Sequence, residues 1–161
     1  MPYTRAFPDA VTTVDTTAQY ELGTEWPMDA GEAEALDSTV QGPQCWVYVK
    51  ATVALAEGEI AAIADGTANY EVKLAAVNSS SKSLIGVAQH AIAINSFGWI
   101  LKRGFGEVKG DSGGYSANTA LIVGDAAGAA ANLNAVIDGQ AFAHSPELVA
   151  AAALGTCFIN I

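Results

Sequence analysis

Positive charge is scarce in this chain. Seven Lys and Arg stand against 17 Asp and Glu, a formal net charge of −10 over 161 residues. That balance excludes a nucleic-acid partner, because phosphate binding needs clustered Lys and Arg. Cysteine and histidine are as sparse: the chain has only Cys45, Cys157, His90 and His144. Two Cys make neither a disulfide framework nor a zinc-ligand spacing. Each sits in alternation with apolar neighbours, as a free thiol acting as a small hydrophobe does. Each His reads as a hydrogen-bonded strand residue. Long apolar runs are missing too. Leu148–Leu154, the longest Ala/Leu run, is far too short to cross a bilayer. The N-terminus MPYTRAFPDA lacks the apolar region of a signal peptide. The expectation is a soluble protein made in a cytoplasm, with no membrane partner. No GxxxxGK phosphate loop, GxGxxG fingerprint or D-x-D-x-D-G calcium loop is present, so no cofactor or metal is expected.

What is present is unevenly placed. Met1–Gln41 holds Asp9, Asp15, Glu21, Glu25, Asp29, Glu32, Glu34 and Asp37 against the single base Arg5. Pro2, Pro8, Pro27 and Pro43 interrupt any long helix there. GEAEAL at 31–36 has room for a turn or two. Large hydrophobes recur singly through the same stretch: Tyr3, Phe7, Val11, Val14, Tyr20, Leu22 and Trp26. A disordered linker has few such residues. Residues 1–43 therefore read as an extended acidic arm, packed on its own body or on a neighbouring subunit. The seven hydrophobes are its candidate interface.

Residues 44–161 read as a compact body of short strands. Cys45, Val47, Val49, Ala51 and Val53 alternate with Trp46, Tyr48, Lys50 and Thr52, the period of a strand. Glu57-Gly58 is a turn, Ile60–Ala64 a short strand, and Asp65-Gly66 a hairpin dipeptide. Tyr70, Val72 and Leu74 mark another strand, and Asn78–Ser83 a polar loop.

The focus of the body is Leu84–Lys109, LIGVAQHAIAINSFGWILKRGFGEVK. It reads as two strands turning at Asn95–Gly98, with Gly98 supplying the unusual backbone angle. Apolar parity shifts between Ile85/Val87 and Ile92/Ile94, which a bulge near Gln89 or His90, or burial on both faces, would explain. Asn118–Val123, Gln140–His144 and Thr156–Ile161 complete the strands. In the last of these, Cys157, Ile159 and Ile161 share one face. Ser145-Pro146 followed by Glu147 has the form of a helix start, and Gly155 of a helix end, predicting a short helix over Pro146–Leu154. About eight short strands with frequent turn signals make the fold class mostly β, a small barrel or sandwich.

Gly110-Asp111-Ser112-Gly113-Gly114 spells the nucleophile motif of trypsin-like serine proteases. Its partners are missing. The only upstream His is His90, and only Asp111 lies between it and Ser112. The segment reads as a Gly-rich turn between strands, and a serine hydrolase stays only as a remote alternative. Lys102 and Arg103 with Lys109 form the one basic cluster, a solvated strand end or a contact for an acidic surface.

Three stretches resemble small capsid decoration (cement) proteins of tailed bacteriophages. They are IGVAQHAIA at 85–93 followed by FGWILKRGFGEV at 97–108, the terminal GTCFINI, and YVKATVALAEGEIAAI at 48–63. The resemblance spans Trp46 to Ile161. It implies a β-barrel or β-tulip-like body and a homotrimer on the outer capsid surface. It also implies a non-enzymatic role stabilising the shell, with the arm contacting the major capsid protein or a neighbouring copy. The alternative is another non-enzymatic β-module, such as a fibre, tail or carbohydrate-binding domain.

Overall fold

The structure is a computed structural model that describes residues 11–36, 42–64, 70–76, 83–124, 126–132 and 141–161. Among the described residues there are ten strands and one helix. In chain order they are β1 (Glu25–Met28), α1 (Ala30–Leu36), β2 (Gln44–Ala51), β3 (Ile60–Ile63), β4 (Glu71–Leu74) and β5 (Leu84–Val87). β6 (Phe97–Lys109), β7 (Thr119–Val123), β8 (Ala130–Asn132), β9 (Ala143–Ser145) and β10 (Leu154–Asn160) follow. The fold is mostly β, as the alternation predicts.

Five strands close into a barrel in the order β2–β4–β3–β5–β6, with β6 pairing back onto β2. All contacts are antiparallel except β2–β4. Val47, Val49 and Ala51 of β2, Ala61 of β3, Val72 of β4 and Ile100 of β6 form one buried cluster with Leu55, Ala88 and Ile92. A five-stranded barrel has a narrow interior, and small residues fit it. Gly86 shows how tight it is: a Cβ there would lie 2.9 Å from Ile100 Cγ1.

β6 is the spine of the molecule. Its first half pairs with β2 and β5, and Arg103–Lys109 pairs with β10. The change of partner falls at Gly104, whose φ of +118° only glycine adopts freely. Beyond β10 the sheet continues through β9 and β7 to β8. A parallel bridge from Gly110 to Ala130 brings β8 back to the end of β6. Val108, Tyr115, Leu121, Phe142, Val149, Cys157 and Ile159 are buried in this second half. They belong to one continuous cluster with the outward face of the barrel.

Three local expectations differ from the structure. Residues 146–154 form no helix. The Ser145 hydroxyl bonds Glu147 in a local turn, and Val149 pairs with Tyr115 instead. Ala152 at φ +56° also breaks any helical run. The one helix described is α1, inside the acidic segment, where Asp29 and Glu32 cap each other reciprocally (Glu32 N to Asp29 Oδ1 2.9 Å, Asp29 N to Glu32 Oε2 3.0 Å). The turn before β6 takes its left-handed residue from Asn95 (φ +61°), not from Gly98. Gly98 is needed for space, since a Cβ there would lie 3.0 Å from Ile92 Cδ1. The parity change near Gln89 is a break in the strand. β5 ends at Val87, and the Gln89 side chain then pairs with the Glu107 backbone (Glu107 N to Oε1 2.7 Å, Nε2 to Glu107 O 3.0 Å). The predicted Asp65-Gly66 turn lies outside the described residues, as does all of the Asn78–Ser83 loop except Ser83.

Candidate interaction surface

Alternation along β2 and β6 sends one set of side chains into the barrel and the other outward. The outward set is aromatic: Trp46 faces Leu101, Tyr48 faces Trp99, and Lys50 faces Phe97 across the pair. Left bare, such a face would be a large apolar patch. The N-terminal segment covers it. Tyr20 lies 5.2 Å from Tyr48 and 5.3 Å from Trp99 between ring centroids, and Trp26 lies 5.8 Å from Trp99. β1 adds itself to the edge of β2, with Trp26 opposite Trp46.

Polar contacts fix the register of this cover. The Tyr48 hydroxyl donates to Asp15 Oδ2 at 2.8 Å and accepts from Gln19 N at 3.2 Å. Asp15 and Phe97 exchange both backbone hydrogen bonds. Burial, with the Asp15 carboxylate beside it, pushes the Tyr48 hydroxyl up to about 12.

The seven arm hydrophobes are thus distributed unequally. Val11 (3% exposed) and Trp26 (8%) are core residues of this chain. Tyr20 and Leu22 are half-buried against the same cluster. Val14, at 38% exposed, faces outward. Tyr3 and Phe7 lie outside the described residues. The partners that gather the arm, Tyr48 and Trp99, carry the even-and-odd alternation of their strands but no sign in the sequence of what would cover them.

At the start of β2 a cleft of about 220 Å³ is lined by Glu25, Cys45, Lys102, Arg103 and Ile161. Lys102 is ion-paired with Glu25. That hydrogen bond raises the lysine above its ordinary value, and burial together with Glu25 raises the Cys45 thiol. A raised thiol is a poor nucleophile at neutral pH. Cys157 is buried at 0% exposure beside the Tyr115 hydroxyl, and burial raises both groups. Cys157 lacks the accessible setting of a reactive thiol, and at Cys45 burial and Glu25 outweigh the lowering effect of Lys102 and Arg103.

The Gly110–Gly114 segment is a turn. Asp111 is 7% exposed, and its Oδ1 accepts from Gly113 N at 2.8 Å. Ser112 points to solvent. Asp111 is the residue that shapes the loop, and no His among the described residues bonds to Ser112. Among the described residues no group of three or more His, Cys, Asp or Glu could hold a metal, and no helix is long and apolar enough to cross a membrane.

No protein-family model matches the chain, and no curated protein does. Among solved structures, the fold is similar to that of the head fiber gp8.5 N base of bacteriophage phi29. The TM-score is 0.53 at 14% identity, over 71% of this chain and 92% of that one. At that identity the likeness is one of fold.

Proposed function

We propose that this protein is a non-enzymatic structural component of a phage virion. It sits on the outer capsid surface, stabilises the shell and acts as a homotrimer. The observation that supports this most is the fold shared, across 92% of its length, with the base of a phage head fiber. The chemistry agrees with it: burial raises both thiols above their ordinary value, and the protease-like motif forms a turn shaped by Asp111. A net charge of −10 also keeps the protein from being drawn to packaged DNA.

Contact with the major capsid protein or a neighbouring copy falls to the arm. Val14 is its exposed large hydrophobe among the described residues, and Tyr3 and Phe7 are further candidates from the sequence. Stabilisation per copy is small, about 25 cal/mol per Å² of apolar area, and repetition over a shell multiplies it. A second reading follows from the same neighbour, that the chain is the base of a projecting fibre.

The test is to mix the purified chain with bare capsids of its source phage. Co-sedimentation, a higher capsid melting temperature and density on the outer shell are expected. Capsids that neither bind it nor melt higher would sink the proposal. Electron microscopy separates the two readings, showing either a flush knob or a projecting shaft.

A further inference from the structure

The outward face of the second half of the sheet carries an in-register row. Phe105 of β6 sits opposite Phe158 of β10, Phe158 opposite His144 of β9, and His144 opposite Ala120 of β7. Four adjacent strands thus present an apolar line crossed by one imidazole. Phe158 is 41% exposed, and its ring packs edge-on against Phe105 at 5.3 Å. Ile122 on β7, two residues from Ala120, lies on the same face and is half-buried. The chain has no Asp, Glu, Lys, Arg or His after Glu147, and burial raises the one thiol there, Cys157, so β10 carries no charge at neutral pH. On a molecule of net charge −10 this face is close to neutral.

The charges it does carry are placed symmetrically about the row. Arg103 precedes Phe105 by two residues on β6, and Glu107 follows it by two; the unbroken register with Asn160, Phe158 and Thr156 of β10 puts all three on one face. Arg103 Nε donates to Asn160 Oδ1 at 3.3 Å and pairs with no carboxylate among the described residues. Glu107 accepts from the Thr156 hydroxyl at 3.1 Å.

We infer that this face docks a second copy of the chain, two-fold about the Phe105–Phe158–His144–Ala120 row. A two-fold contact is self-complementary: what residue i meets, j meets in return. Rotation about the row stacks Phe158 on its counterpart and sets Arg103 of one copy against Glu107 of the other, twice. A basic partner would be drawn instead to the acidic arm, and any other acidic surface would meet the −10 field without this matching. The strands here, at about 4.8 Å spacing and about 3.4 Å per residue, give a footprint of roughly 20 by 20 Å. That is smaller than the ~800 Å² per partner of a stable complex, so the pairing is reversible and concentration-dependent. The inference stands apart from the virion reading, and it joins copies in pairs whether or not they also form a three-fold ring.

Sedimentation equilibrium of the full chain, up to millimolar concentration, tests it. The limiting mass is expected to be twice that of Phe158→Asp, a substitution at a solvent-facing position, checked for folding by circular dichroism. Arg103→Glu and Glu107→Arg are each expected to weaken pairing about tenfold or more, and the double charge swap to restore it. Equal masses for the wild type and Phe158→Asp would overturn the inference, as would a double swap no better than the single variants.

Discussion

The hydroxyl of Tyr48 donates to the carboxylate of Asp15 at 2.8 Å, fastening the N-terminal segment to the outer face of the barrel 33 residues along the chain. The same residue is held at its backbone, where Gly23 N donates to Tyr48 O at 2.8 Å and Tyr48 N to Thr24 O at 2.9 Å. Tyr48 is therefore both a strand residue and the latch of the arm.

Tyr48→Phe keeps the ring packing and removes the latch. It is expected to cost about 1–2 kcal/mol, since a buried donor is lost and Asp15 can still reach water. Urea denaturation followed by fluorescence checks it through a lower midpoint at unchanged slope. The pH dependence is a second readout. The folded-state value of about 12 lies above the ordinary 10, so the contribution is whole below about pH 10 and is lost as pH rises through about 12. The stability difference between wild type and Tyr48→Phe should therefore shrink between those two values. A constant difference across that window would mean that the hydroxyl is not the group responsible.

Trp99 is the ring on which Tyr20, Trp26 and Tyr48 converge, at 5.3, 5.8 and 5.2 Å. Trp99→Ala should cost about 3–5 kcal/mol, the range for emptying a buried aromatic site. Phe97→Ala, at a half-buried ring stacked on Tyr48 at 6.3 Å, should cost clearly less. Equal losses for the two would show that the arm does not depend on Trp99.

The barrel strands were legible because alternation has a physical cause. Val47, Val49 and Ala51 fill a narrow interior, and the odd-numbered pattern shows it. The helix expected at 146–154 was not, because Ser145 and Gly155 satisfy the local rules for helix ends while the pairing of Val149 with Tyr115 is non-local. Gly155 is fixed by space, as a Cβ there would strike Val149, and not by helix termination. The same limit applies to the arm. Spaced aromatics announced that it packs, but only the register of Trp26 against Trp46 shows that four of its residues extend the sheet of their own body. Phe158 was legible in part: placing Cys157 and Ile159 inward leaves it outward, although its in-register neighbours come from three other strands.

The glycine-rich turn separates structural from chemical importance. Ser112→Ala is expected to stay within about 0.5 kcal/mol of wild type, because the side chain faces solvent. Asp111→Ala loses the bond to Gly113 N in a buried setting and should cost about 1–3 kcal/mol. Gly114→Ala should cost about 2 kcal/mol or more, since φ is +66° and a Cβ would strike the Val149 carbonyl. Thermal melts of the three variants check the ranking. A loss of any hydrolytic activity in Ser112→Ala would reverse the reading of this segment.

Two truncations divide the arm by function. Removing residues 1–10 takes away Tyr3 and Phe7 and leaves every arm contact described above, including Val11 at 3% exposed, in place. That variant keeps the Tyr48–Asp15 latch and the rings around Trp99 and should lose co-sedimentation with capsids. Removing residues 1–28 strips β1, Asp15, Tyr20 and Trp26 together, uncovering Trp46, Tyr48 and Trp99, which are 4%, 0% and 2% exposed in the intact chain. Its tryptophan emission should shift to the red, and it should aggregate or melt far lower, because an aromatic face and a strand edge are opened at once. If the shorter truncation binds capsids as well as the full chain, the contact lies elsewhere on the body and the arm is only a strut. If the longer truncation is as stable as the intact chain, the arm contributes nothing to the fold, and the aromatic contacts around Trp99 lose the role assigned to them.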